Sequence, residues 1–441
     1  MLLVAFSATP VLVMLFYRHP MFLLYLFLIS YAFDAVFPEY YFLAGGFMLF
    51  PTDVAYFFTI TTLAMCAWLR PRKIAAALKE NVFLSMFLAL IVLYVVLYTP
   101  VYAQSAVGEA RKYYFIFLIP LLAAVAIKNP TDLQRFVVAI VWAAVAIAVV
   151  GLSMAVAKGT IIRGISAQAA LALVLAAFVM LIHRIYKIVL VGPTLDKLLL
   201  WLFFTATIIV SHRTVWLAMG SGLLLMFWLY CRKQALLAKV ILSVFVTTTA
   251  IGAGIVLFPN TAARLETKFQ GILEPEKDAN ASWRMERWQQ HLERLSQDGN
   301  LLFGEGFGSY YGQDEAGLFM PDLHSGYIQL ILKFGVAGLI LYGVLAFKFM
   351  RDALAVRKIL EAGPMRASLE SGILAFGAAH VYSSGYGFDL IMLMFFAVAN
   401  SAARLAQHGS VDFRAPGRQH VRRYTNSMPA YLSRGLSARN S

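Results

Sequence analysis

Charge and cysteine are what this sequence has least of. Only 14% of its 441 residues are Asp, Glu, Lys or Arg, where a soluble domain carries about a quarter. Acidic residues are the scarcer sign, 23 against 37 Lys and Arg, leaving a formal charge of +14. The two cysteines, Cys66 and Cys231, both stand near the ends of apolar runs that adjoin basic clusters, far from the longest polar segment, so neither a disulfide framework nor a metal site is indicated. No internal repeat of obvious period stands out, and the inverted-repeat symmetry that would favour a transporter is not visible. The first apolar run leads directly into further runs, so no separate signal peptide with a small-residue cleavage site is expected.

What is abundant is apolar surface: 61% of the residues are hydrophobic and the mean hydropathy is +0.73. Runs approaching the roughly 17–25 residues needed to cross a bilayer recur at 2–17, 21–37, 52–69, 82–98, 113–127, 133–157, 165–183, 197–210, 214–231, 237–258, 323–350, 367–383 and 388–405. The pattern predicts an all-α polytopic membrane protein of about 12–13 transmembrane helices, the first short enough to be a half-span.

The positive charge gathers in alternate loops. Arg70, Arg72, Lys73 and Lys79 form one cluster, His183, Arg184 and Lys187 another, Arg232 and Lys233 a third, and Lys348, Arg351, Arg357, Lys358 and Arg366 a fourth. This placement marks those loops as cytoplasmic and argues against nucleic acid as the partner. Residues 259–323 then fall on the opposite side, with eleven Asp or Glu against six Lys or Arg. The organisation expected is a transmembrane bundle over 1–258, an external segment over 259–323, further transmembrane helices over 324–405 and a tail over 406–441. The tail carries Arg414, Arg418, Arg422, Arg423, Arg434 and Arg439 against Asp412 alone and lacks apolar periodicity. It is expected to be disordered and drawn to anionic membrane lipid.

Chemistry is expected in the external segment, because long loops between membrane helices are uncommon unless they have a function. Its middle, NASWRMERWQQHLERLSQDGN over 280–300, places Met285, Trp288, Leu292 and Leu295 at helical spacing. Ser282 is the expected cap and Gly299 the stop. Arg284, Arg287, His291 and Arg294 line a neighbouring face, and the same pattern also fits an amphipathic helix lying at the membrane surface. Next comes LLFGEGFGSYYG over 301–312. Its glycines Gly304, Gly306 and Gly308 either offer N–H groups to phosphate or form a tight turn folding the segment back onto the membrane domain. No βαβ unit surrounds them, which argues against a nucleotide site.

Two basic groups share this side. SHRTVWLAMGSG over 211–222 sets Arg213 at the mouth of a span, and GEARKYYF over 108–115 does the same for Arg111 and Lys112. A basic residue there is costly unless paired or facing water, which makes it a functional candidate, although snorkelling to the interface is the alternative. Finally, LHSGYIQLILKFGVAG over 323–338 opens a long apolar helix on a histidine. At about 100° per residue Gly335 and Gly338 return to the face of His324, and small residues mark a packed face, so the imidazole is expected to point into protein. Asp322 is the expected cap, and the positive end of the helix favours the neutral imidazole, the form able to accept a proton. A histidine simply satisfied by a hydrogen bond remains the competing reading.

These stretches together resemble the bacterial O-antigen ligases and the related O-antigen and exopolysaccharide polymerases. His324-Ser325 with Gly335 and Gly338 is similar to the family's histidine motif, and Arg213 to Leu217 to its arginine motif. Arg284 with Trp288, followed by LLFGEGFG, is similar to the stretch that precedes the histidine. The resemblance implies a C-type glycosyltransferase of the bacterial inner membrane. Its donor would be a polyprenyl-diphosphate-linked glycan, its acceptor another glycan or lipid A–core, and its active site would face the periplasm. It implies Arg213, Arg284 and His324 as catalytic residues, with Arg287, His291, Arg111, Lys112, Gly306 and Ser325 at the substrates. With no external Asp-x-Asp pair, inverting transfer without metal or cofactor is expected. A transporter is the reading from another class, but it would place its ionisable residues near the bilayer midplane.

Overall fold

The computed structural model describes residues 2–37, 42–44, 47–80, 82–102, 104–157, 165–210, 212–230, 279–309 and 324–412, with isolated positions at 238, 241, 245, 249 and 274. In hydrocarbon every backbone polar group must be satisfied within the protein, which leaves helices as the way an apolar chain of this kind crosses a membrane. The helices are α1 (Leu2–Arg18), α2 (Met21–Val36), α3 (Pro51–Leu69), α4 (Pro71–Glu80), α5 (Val82–Tyr102), α6 (Gln104–Ala126) and α7 (Pro130–Ala157). They continue with α8 (Ala167–Ile185), α9 (Leu195–Val210), α10 (Arg213–Tyr230), α11 (Ala279–Gln297), α12 (Gly326–Ile359), α13 (Pro364–Ser383) and α14 (Leu390–Asp412). A small antiparallel hairpin pairs β1 (Phe42–Ala44) with β2 (Phe47–Leu49), Phe42 opposite Leu49.

Every predicted span within the described residues coincides with a helix, and the chain is a multi-pass membrane protein. The count by length and composition is lower than expected. Among the described residues seven helices are long and apolar enough to cross a membrane, or eight if α1 and α2, bent by 115° where they meet, form one broken span. Helix α9 has only 16 residues, and α6 carries Glu109, Arg111 and Lys112. Predicted span 237–258 lies outside the described residues apart from the isolated positions named above, and tail segment 413–441 lies outside them altogether. Helix α14 runs on to Asp412, so the stretch read as tail from 406 begins as helix.

The centre of the bundle is α8, nearly all of whose residues are buried. Its alanines let neighbouring helices approach closely, the packing that drives association where lipid removes the hydrophobic drive. Helix α13 lies beside it with a polar knot near its start. The fully buried Glu370 accepts from Arg357 Nε at 2.7 Å and Arg366 Nε at 3.1 Å. Its other oxygen accepts from the Tyr186 hydroxyl at 2.8 Å and from the Tyr230 hydroxyl. One carboxylate thus ties the ends of α8, α10 and α12 to α13.

Two arginines share this carboxylate, so Glu370→Gln leaves their charge uncompensated while keeping the side chain's shape. It is expected to destabilise the protein by about 3–5 kcal/mol, the cost of breaking a buried pair from one side. Thermal unfolding in detergent checks this, and an unchanged midpoint would show that the knot does not hold the bundle.

Candidate functional site at the end of the bundle opposite Glu370

Helix α13 is 20 residues long, about 30 Å at 1.5 Å per residue, which matches the thickness of the hydrocarbon core. The Glu370 knot marks one end, among the basic loops. Beyond the other end the loop from Ser384 to Asp389 turns into α14, and there the predicted residues meet.

Helix α12 begins at Gly326, with Ser325 as its cap: the Ser325 hydroxyl accepts from the Ile328 N–H. The cap is therefore not Asp322, which lies outside the described residues, and the Ser325 side chain is buried in a structural role. His324 precedes the helix with φ at 51°, a left-handed conformation uncommon for a residue with a side chain and found most often where function demands it. The expected helical phase from His324 to Gly335 and Gly338 does not exist, because Gly335 breaks the helix at φ 68°, ψ −170°. His324 is instead set by the loop after α13. The Gly326 N–H donates to the Tyr386 carbonyl at 2.8 Å, and the imidazole stands edge-on to the Tyr386 ring, centroids 6.0 Å apart at 77°.

Arg284 reaches the same loop from α11. Its guanidinium donates to the Gly385 carbonyl at 3.4 Å and lies over the Tyr386 ring, 5.6 Å from the centroid. Arg213 begins α10, and its neighbour Thr214 packs so closely on Gly385 that a Cβ there would lie 3.0 Å from the threonine methyl. Three distant stretches of sequence thus converge on Gly385 and Tyr386. Neither residue was anticipated, although an aromatic between glycines where two spans meet is a visible turn signal. Tyr386 stacks on the fully buried Tyr382, centroids 5.1 Å apart. Asp389, buried at the start of α14, accepts from the Ile391 N–H at 2.8 Å.

Arg287, His291 and Arg294 do not join this ring. Arg287 lies 6.0 Å from the Trp283 ring and donates to Gln290 on its own helix. His291 is buried, one turn from Leu295, which packs with Trp288 and Leu292 against Leu332. The helix is therefore docked on α12. It starts at Ala279, so Ser282 is not its cap, and it ends before Gly299 at φ 70° as expected. Arg294 is bound at both oxygens of Glu305, 2.6 Å from each. The side chains of Arg111 and Lys112 lie outside the described residues.

The glycine-rich stretch docks on the break in α12. The Glu305 and Gly306 N–H groups donate to the Leu332 and Lys333 carbonyls at 2.7 and 3.1 Å. The Val336 and Ala337 N–H groups donate back to Leu301 and Leu302 at 3.0 and 3.2 Å. The Gly306 N–H is thereby engaged and not open to a phosphate, so the tight-turn reading describes this stretch. Lys333, fully buried, completes the dock: its ammonium lies 2.9 Å from Glu109 and donates to the Ser309 carbonyl and hydroxyl at 2.9 and 2.8 Å.

Residues 198–343 match the family described as O-antigen ligase. This stretch is thus similar to the O-antigen ligases, and the match supports a place for it in the O-antigen ligase and polymerase superfamily. It contains Arg213, Arg284 and His324 and ends before Tyr386. No curated protein matches the chain.

A Cβ at Gly335 would fall 2.1 Å from the Leu302 carbonyl oxygen, and the left-handed backbone costs an L-residue a further 1–2 kcal/mol or so. Gly335→Ala should therefore undock residues 301–306, seen as faster amide exchange there. Gly343→Ala on the same helix meets nothing within 4 Å and should be silent. Unchanged protection in Gly335→Ala would show that the dock does not depend on the break.

Proposed function

We propose that this chain, with its O-antigen ligase domain, transfers a glycan from a polyprenyl diphosphate to a sugar hydroxyl at the periplasmic face, the acceptor being lipid A–core. The observation that carries the reading is the meeting of Arg284 and His324 on one aromatic ring, with the first turn of α10 packed behind it. The site's position a bilayer's thickness from the basic loops supports the periplasmic side.

The chemistry needs two things that these side chains supply. A diphosphate leaving group needs positive charge where negative charge develops, and a guanidinium binds phosphate oxygens through two parallel hydrogen bonds. Arg284 and Arg213 take that role. The acceptor hydroxyl needs a base, and His324 takes its proton on a ring nitrogen. The hydroxyl oxygen then bonds to the anomeric carbon from the face opposite the diphosphate. The carbon–oxygen bond to the phosphate breaks, its electron pair leaves with the diphosphate, and configuration inverts. The arginines carry the charge a metal would otherwise offset, so the transfer is proposed to be metal-independent.

Polymerisation of repeat units uses the same chemistry with a glycan acceptor. Deletion of the gene separates the two: long glycan left on the lipid carrier is the outcome for a ligase, single repeat units the outcome for a polymerase.

Single-turnover transfer with donor binding in parallel tests the base. His324→Ala should bind donor normally and transfer roughly 10²–10⁴-fold more slowly, the usual contribution of a positioned base. His324→Gln should match alanine, and near-wild-type transfer by the glutamine variant would reduce the histidine to an orienting role. Transfer should also continue in excess chelator, whereas loss restored by Mg²⁺ or Mn²⁺ would make the enzyme metal-dependent.

A further inference from the structure

The residue that joins the two halves of this chemistry lies outside the matched domain. Tyr386 offers its ring face to the Arg284 guanidinium at 5.6 Å and meets the His324 imidazole edge-on at 6.0 Å. Its own position is fixed from two directions. The main-chain carbonyl is held by the Gly326 N–H at 2.8 Å, two residues past His324, and the ring stacks at 11° on the buried Tyr382. The preceding carbonyl, of Gly385, receives Arg284. Both groups assigned to the reaction are therefore indexed to one rigid point, while each sits on a flexible arm or a strained backbone of its own.

We infer that Tyr386 is a positioning residue: its ring sets the distance and angle between the cation that holds the diphosphate and the imidazole that faces the acceptor hydroxyl. This inference rests on the reading of Arg284 and His324 given above. The physical basis is that a guanidinium over an aromatic face is held in orientation as well as in place, and that an arginine left free to swing presents its fork to phosphate only part of the time. In-line transfer needs donor carbon and acceptor oxygen at contact distance with the base aligned, so the spacing of the two side chains is part of the catalytic geometry. The ring does this work, and the hydroxyl is not required for it.

The test is single-turnover transfer by purified Tyr386→Phe, Tyr386→Leu, Arg284→Lys and the double variant Tyr386→Leu/Arg284→Lys, in one lipid, with donor binding measured alongside. Phenylalanine keeps the ring and should transfer within a few fold of wild type. Leucine keeps apolar packing on Tyr382 but loses the aromatic face, and should slow transfer by about 10²-fold, the scale of a misplacement of about 1 Å. If the ring acts through Arg284, the double variant is no slower than the slower single one, since coupled residues are not additive.

Multiplying effects in the double variant would show that Tyr386 acts as general support and would overturn the inference. So would a phenylalanine variant as slow as leucine, because the hydroxyl would then be the working group. Failure of the underlying reading looks different: Arg284→Lys would use donor as well as wild type, whatever happens at Tyr386.

Discussion

The structure depends on how a broken helix keeps its backbone satisfied. In α12 the left-handed turn at Gly335 takes carbonyls and N–H groups out of the helical ladder at a buried position, where each needs another partner. The break persists because the external segment brings matching groups, with Leu301, Leu302, Glu305 and Gly306 pairing main chain to main chain with Leu332, Lys333, Val336 and Ala337. Close approach of two backbones needs residues without side chains. A Cβ on Gly304 would fall 2.6 Å from the Lys333 carbonyl carbon, so the glycines of both partners are one requirement seen from two sides.

The charges that accompany this dock follow from the same constraint. Lys333 lies inside an apolar helix with no exposure, tolerable because Glu109 and Ser309 surround its ammonium. The same Glu109 oxygen accepts from the Gly308 N–H at 2.8 Å, so α6, α12 and the external segment share one carboxylate. Arg294 and Glu305 add a second tie between α11 and the same turn. Held on α12 in this way, α11 presents Arg284 to the loop that also fixes His324.

Much of the architecture was legible because hydropathy and helical spacing act over short stretches, and the spans could be placed from them. Three features were not. A glycine within a membrane helix is common, so Gly335 gave no sign of ending the helical phase, and the face assigned to His324 from periodicity was an artefact of assuming a continuous helix. The basic line on α11 looked uniform, yet Arg294 is bound to Glu305, Arg287 turns to its own helix and Arg284 reaches the loop. Which partner each takes depends on residues remote in sequence. The pairing of Lys333 with Glu109 could not be read from the sequence, because the two stand on helices remote in the chain and meet only in three dimensions.

The place of Tyr386 in the chain bears on how far the matched stretch can stand alone. The stretch matching the O-antigen ligase family ends at residue 343, whereas the ring on which Arg284 and His324 meet is carried by the loop between α13 and α14. The domain is consequently not a portable cassette. Grafted into another membrane scaffold, it would bring its cation and its imidazole but leave behind their common reference point. On the function proposed above, the length and composition of the loop after α13 would set the reach between Arg284 and His324 without any change to α10, α11 or the start of α12.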